Sequence, residues 1–257
     1  MREDDMVFHS HGVKSHCVLR GEGKPLLVLH GHGGEGNSFY PVAMHYAPRR
    51  SVYAVDFPGY GQSAEPPEPW SITEYTAWLA AWMRDIGLSG CDIIAHSFGG
   101  RVAILLAATY PELVGKLVLT GAAGLIPKRS MKYYLKVWSY KTMKRMAKWT
   151  FLARAFRLEE RIKRRAGSSD YRALSESMKK TFVRVVNQDL RPFLPSIKAS
   201  TLLIWGAKDD SAPLWFGQVM EKEIPDAGLV VFENAGHFAY LEELHRFLAI
   251  TDHFLEG

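Results

Sequence analysis

The sequence predicts an α/β fold: a mostly parallel central sheet with helices on both faces and an inserted helical lid. Three observations carry that expectation. Seven short apolar or β-branched runs, each about strand length, recur along the 257 residues, and most end in Gly, Asp, His or Ser. Helical patterns lie between several of them, and strands alternating with helices build a parallel sheet. Between about residues 125 and 195 the alternation stops, and the chain reads as helices rich in Lys, Arg, Met and aromatics.

Taken in order, "VKSHCVL", "LLVLH" and "SVYAVDF" are the first strands, and Gly-rich "GHGGEGNS" follows the second of them. "SITEYTAWLAAWMRDIGL" is a helix that opens on a capping box, Ser71 three residues before Glu74, and closes at Gly87. "CDIIAH" is a strand running into the helix "GGRVAILLAATYPEL", which Pro111 stops. After the strand "KLVLTG" comes the helical insertion. The strand "TLLIWG", the helix "PLWFGQVMEKEIP" between two prolines, the strand "LVVFEN" and a last helix complete the chain. The domain division expected is residues 1–124 with 196–257 as the core and 125–195 as the lid.

Composition sets bounds on function. An apolar share of 47% with 23% charged residues is globular, and no apolar run reaches the ~18 residues of a membrane span. "MREDDMVFHS" is acidic and lacks a signal peptide's apolar stretch, and two cysteines, Cys17 and Cys91, form no framework. The expectation is a reducing, cytoplasmic setting with both thiols buried in strands. The net charge of +5 hides an asymmetry: residues 128–184 hold 18 Lys/Arg against 4 Asp/Glu, so +14 there leaves −9 elsewhere. Within that stretch Lys141, Lys144, Arg145 and Lys148 fall on one helix face, with Tyr133, Tyr134, Trp138, Tyr140, Trp149 and Phe151 interleaved. A solvated lid face, an attraction to anionic lipid surfaces and steering of anionic substrates all fit this pattern. No nucleic-acid-binding motif accompanies the charge.

The chemistry concentrates at "CDIIAHSFGGRVAILL", where Ser97 stands at the corner between strand and helix in the pattern A-x-S-x-G. A turn this tight excludes bulk at Ala95, Gly99 and Gly100, and it exposes a serine hydroxyl beside the N–H groups of a helix start. A lone hydroxyl is a weak nucleophile and requires a base and a group to orient it. The tail offers both: "WGAKDDSAP" ends a strand with Asp209 and Asp210, and "NAGHFAYLEE" carries His237 in a loop before the last helix. His96 beside Ser97 reads as packing under the turn. A metal at His30-x-His32 finds no second ligand pair. A dinucleotide motif would use Gly31, Gly33 and Gly36 with Asp56 about 20 residues on, against which stand "FPGYGQS" and the Ser, Asp and His just named.

The stretches "HGHGG", "VDFPGYGQS", "AHSFGGR", "WGAKDDSAP" and "NAGHFAYLE", in this order and spacing, resemble the alpha/beta-hydrolase superfamily over nearly the full chain. The resemblance implies a Ser97…Asp209…His237 triad, with Asp209 rather than Asp210 as the acid because it is fourth after Trp205 and four before Pro213. It makes "HGHGG" an oxyanion loop in which the backbone N–H groups of His32 and Phe98 are the donors, with His30 and Asp56 structural. The activity it implies is acyl-enzyme hydrolysis of a small-molecule carboxylic ester, without metal or organic cofactor. The alternatives are carbon–carbon hydrolysis of a diketone-like acid, an aminopeptidase-type hydrolase, or a receptor that has lost turnover. Against the first and second of these, Phe238 follows His237 where ring-fission hydrolases usually carry Trp, and "HGHGG" and Phe98 stand where proline-releasing peptidases have H-G-G-P-G and Trp.

Overall fold

The structure, a computed structural model, describes residues 3–126, 138, 142 and 174–257. The chain divides into two compact units, Met1–Leu125 with Lys180–Gly257, and Ile126–Lys179. The sheet and every residue of the candidate site belong to the first. Most of the helical lid expected over residues 125–195, with the basic face of Lys141, Lys144, Arg145 and Lys148, lies outside the described residues.

Eight strands form one sheet: β1 Glu3–Ser10, β2 Val13–Arg20, β3 Lys24–Leu29, β4 Arg50–Val55, β5 Cys91–His96, β6 Val114–Thr120, β7 Thr201–Gly206 and β8 Ala227–Phe232. Their order is β1-β2-β4-β3-β5-β6-β7-β8. From β4 to β8 all neighbours run parallel, while β1 pairs with β2, and β2 with β4, antiparallel. The seven expected strands are β2 to β8. The eighth, β1, has the acidic sequence "EDDMVFHS" and alternates partly buried and exposed positions from Asp4 to His9, as an edge strand does. Central strands β5 and β7 are buried at every position, because helices cover both faces of a parallel sheet.

The helices among the described residues are α1 Tyr40–Tyr46, α2 Ile72–Asp85, α3 Phe98–Thr109, α4 Glu176–Val186, α5 Trp215–Glu223, α6 Ala239–Glu242 and α7 Leu244–Glu256. The capping box of α2 forms as expected: Ser71 Oγ accepts the Thr73 amide at 3.2 Å, and Glu74 accepts the Ser71 amide at 2.6 Å. Ten of the twelve residues of α3 are buried, so this helix is enclosed on nearly every side, and Arg101 is the charged residue among the ten. No helix of the described residues is long and apolar enough to cross a membrane. Both cysteines are free and buried, Cys17 in β2 and Cys91 in β5.

At the opposite end of the strands from the site, a buried ion cluster ties the sheet to the last helix. Asp92 at the start of β5 accepts Arg50 at 2.7 Å, Lys24 at 2.8 Å and the Lys116 amide at 2.8 Å. Arg50 also reaches Glu256 at 2.9 Å. The chain leaves β3 toward β4 and leaves β5 toward β6, so the order reverses between neighbours β3 and β5. A crevice opens at such a switch point, outside the carboxyl ends of the strands.

Candidate active site

Ser97 occupies that crevice, directly after β5. Its φ of +51° and ψ of −108° are a backbone conformation that a side-chain-bearing residue rarely adopts. The surroundings hold it there: its amide donates to Thr120 O at 3.3 Å, and its carbonyl accepts from Ala123 N at 3.1 Å and Arg101 N at 3.3 Å. The small residues have the expected cause. A Cβ on Gly99 would stand 2.4 Å from the Leu29 carbonyl oxygen, and one on Gly100 would stand 2.5 Å from the Ala122 methyl.

Three side chains from separate loops form one hydrogen-bonded row. His237 Nε2 lies 3.0 Å from Ser97 Oγ, and His237 Nδ1 lies 2.8 Å from Asp209 Oδ2. The other oxygen of Asp209 accepts the amides of Ser211 and Ala212, both at 2.8 Å. The buried carboxylate is thus an acceptor on both oxygens, which puts a proton on Nδ1 and turns the lone pair of Nε2 toward the serine. Asp210 is exposed and takes no part in the row.

The oxyanion loop expected at "HGHGG" follows β3 and lies beside the start of α3: the Gly99 amide donates to His30 O at 3.0 Å. Gly31 of the same loop lies against the serine, where an added Cβ would stand 3.3 Å from Ser97 Cβ. Phe98 packs its ring against Phe57 at 5.0 Å and Tyr75 at 5.1 Å. The His32 imidazole hydrogen-bonds Tyr60 Oη at 2.7 Å and meets the ring of Phe182 at 4.8 Å.

The neighbouring polar residues are structural. His30 Nδ1 donates to Gly31 O at 2.7 Å, and Nε2 accepts the Phe57 amide at 3.1 Å. Burial pushes the His30 pKa down to about 4. His96 donates from Nδ1 to Thr120 O at 2.9 Å and packs its ring 4.6 Å from that of His237. Burial, and then the proximity of His237, lower its pKa to about 3, so it packs under the turn as a neutral ring. Asp56 accepts the amides of Gly36 at 2.6 Å and Gln62 at 2.9 Å and meets His16 at 2.9 Å, which fixes the turn after β4.

Three residues that sequence reasoning missed support the row. Glu242 grips both sides of His237, accepting the Gly236 amide at 2.7 Å and the Phe238 amide at 3.1 Å. Gly121 backs the pair, since a Cβ there would come within 3.1 Å of Asp209 Oδ2 and 3.3 Å of His237 Nδ1. Gly206 lets the end of β7 approach the histidine loop, where a Cβ would stand 2.1 Å from Gly236 O. Gly206 ends β7 and Gly121 directly follows β6, at the same rim as Ser97, and that position was the available signal. Glu242, five residues beyond His237 at the end of the one-turn helix α6, carried none. Among the described residues, no cluster of three or more His, Cys, Asp or Glu side chains could hold a metal ion.

A family model described as alpha/beta hydrolase fold matches residues 24–244. The chain belongs to that family. The alpha/beta hydrolase fold explains the strand order and the serine at the switch point together. Among curated relatives, a 2-hydroxy-6-oxo-6-phenylhexa-2,4-dienoate hydrolase of Burkholderia cepacia is 28% identical, over 93% of this chain and 90% of its own. A 2-hydroxymuconate semialdehyde hydrolase of Pseudomonas putida is 28% identical, over 95% and 91%. Among solved structures, an esterase from Exiguobacterium antarcticum superposes with a TM-score of 0.77 at 22% identity, covering 99% of this chain and 100% of that one. A meta-cleavage product hydrolase from Pseudomonas fluorescens reaches a TM-score of 0.72 at 23% identity, covering 98% and 97%. At these identities the structural matches establish the shared fold.

Proposed function

We propose that this alpha/beta hydrolase fold protein is a serine hydrolase that cleaves a small-molecule carboxylic ester through an acyl-enzyme. The row Ser97–His237–Asp209, with contacts of 3.0 and 2.8 Å, is the observation that carries the reading. Ser97 Oγ attacks the carbonyl carbon while His237 Nε2 takes the hydroxyl proton. Asp209 holds the tautomer and stabilises the imidazolium. The carbonyl oxygen becomes negative between the amides of His32 and Phe98, and one such donor is worth about 3 kcal/mol in the transition state. The C–O bond breaks, and the alkoxide leaves with the proton from His237. Water, deprotonated by the same imidazole, attacks the acyl-Ser97 ester and releases the carboxylic acid. No step calls for a metal or organic cofactor.

A second reading is favoured by the curated relatives, whose names describe hydrolysis of hydroxy-oxo-dienoates and related semialdehydes. In it the bond broken lies between two carbons, and a proton reaches carbon rather than oxygen. Phe238 after His237 departs from the tryptophan usual in such enzymes. The deciding experiment offers p-nitrophenyl esters of graded chain length and a vinylogous diketo acid to the same preparation. Ester turnover at least tenfold above diketo-acid turnover in kcat/KM is expected. The reverse ratio would replace the first reading by the second.

A further inference from the structure

Arg101 lies one turn into α3, four residues after Ser97, and is buried. Its Nη1 donates to two main-chain carbonyls, Val185 O at 3.2 Å and Gln188 O at 3.1 Å. These sit at the carboxyl end of α4, where helix carbonyls lack partners within the helix and the helix dipole favours a cation. Burial lowers the guanidinium pKa to about 10, so the group is still a cation at neutral pH. Burying a charge is unfavourable, and a position that keeps one calls for a reason.

The same segment is fastened from its other side. The Trp70 amide donates to Thr181 Oγ1 at 3.1 Å, and the Ile72 amide donates to Gln188 Oε1 at 3.0 Å. Gln188 Nε2 in turn reaches Thr73 Oγ1 at 3.2 Å. Between these fastenings stands Phe182, whose ring meets the ring of His32 at 4.8 Å. The contacts close a circuit around the site. It runs from Ser97 along α3 to Arg101, across to Val185, back one turn to Phe182, onto His32, and through the Gly99 amide on His30 O to the nucleophile turn.

We propose that Arg101 is a positioning residue that holds Phe182 against the oxyanion loop, and that Phe182 thereby limits the length of the acyl group admitted beside Ser97. The inference rests on the acyl-enzyme reading above and adds to it the element that sets acyl size. An aromatic ring held from two sides cannot swing away to admit a longer chain, whereas an unfastened one can. A guanidinium reaches two carbonyls at once, and a lysine ammonium on a shorter, more flexible reach does not reproduce that geometry.

The test compares kcat/KM for p-nitrophenyl octanoate and acetate in the wild type, Phe182→Ala, Arg101→Lys and the double variant, with fluorophosphonate labelling of Ser97 followed in each. Phe182→Ala is expected to raise the octanoate-to-acetate ratio about tenfold or more, the range a few methylenes command in an apolar pocket. Arg101→Lys should move the ratio the same way, through the KM for octanoate, and the double variant should go no further than Phe182→Ala. A wild-type ratio in Arg101→Lys, or additive effects in the double variant, would overturn the proposal. So would loss of labelling and helix content in both Arg101→Lys and Arg101→Gln, which would make Arg101 a folding residue. A wild type that neither labels nor turns over acetate would overturn the acyl-enzyme reading instead, and the two failures are told apart by that control.

Discussion

Ser97 is held at a φ of +51°, and a non-glycine residue in such a region typically stores about 1–3 kcal/mol of strain. Glycine adopts the same angles freely but loses more entropy on folding, about 0.5–1 kcal/mol. Ser97→Gly is therefore expected to abolish turnover while stabilising the fold by about 1 kcal/mol, a rise in the thermal midpoint of about 2–4 °C for a chain of this size. Calorimetry checks it, and an unchanged or lowered midpoint would mean the turn is not strained. The identities of Ser97 and His237 were legible because their loops have a recognisable local pattern. Asp209 was legible only through its offset from Trp205, and the structure supplies the physical difference: Asp209 turns inward onto two amides, whereas Asp210 faces solvent. Glu242 was not legible, since its importance comes from two amides, and any residue type offers those.

At the scale of elements, the site depends on how closely α3 approaches the end of β3. Gly99 is the contact point: its amide binds His30 O at 3.0 Å, and an added methyl would stand 2.4 Å from Leu29 O and 2.8 Å from His30 O. Backbone on both sides cannot give way as a side chain would. Gly99→Ala should lower unfolding stability in urea by about 2–3 kcal/mol, the upper part of the usual overpacking range. Its loss in kcat should exceed that in KM, because the Phe98 amide moves relative to the His32 loop. A variant as stable and active as the wild type would remove the close approach from the account. The strands β2 to β8 were legible from apolar runs, since burial on both faces leaves a continuous hydrophobic signature. β1 was not, because an edge strand with one face in water needs only alternation, and its acidic residues masked it.

Across the whole molecule, the buried histidines tie stability to pH. His30 and His96 have folded pKa values of about 4 and 3, against 6.5 for the ordinary imidazole, with burial the main cause in both. Below pH 6.5 the unfolded chain takes up protons at these rings while the folded protein does not. Their contribution is therefore complete above pH 6.5 and is lost as pH falls toward 4, at about 1.4 kcal/mol per pH unit for each ring. Denaturant titrations should show unfolding stability dropping by about 3 kcal/mol between pH 6.5 and 5 from these two rings. A constant value across that window would show that the rings are accessible to protons in the folded state. The overall architecture was legible from the alternation of strands and helices. The buried cluster around Asp92 was not, since Lys24, Arg50, Lys116 and Glu256 lie far apart in sequence and only the strand order unites them.

The account stands on a nucleophilic hydroxyl at residue 97, and mass spectrometry of the intact protein after fluorophosphonate treatment tests it most directly. The expected result is one covalent adduct per chain, mapped to Ser97 and absent from both Ser97→Ala and His237→Ala. A folded wild-type protein that takes up no adduct, or one modified at another residue while hydrolysing esters, would contradict it.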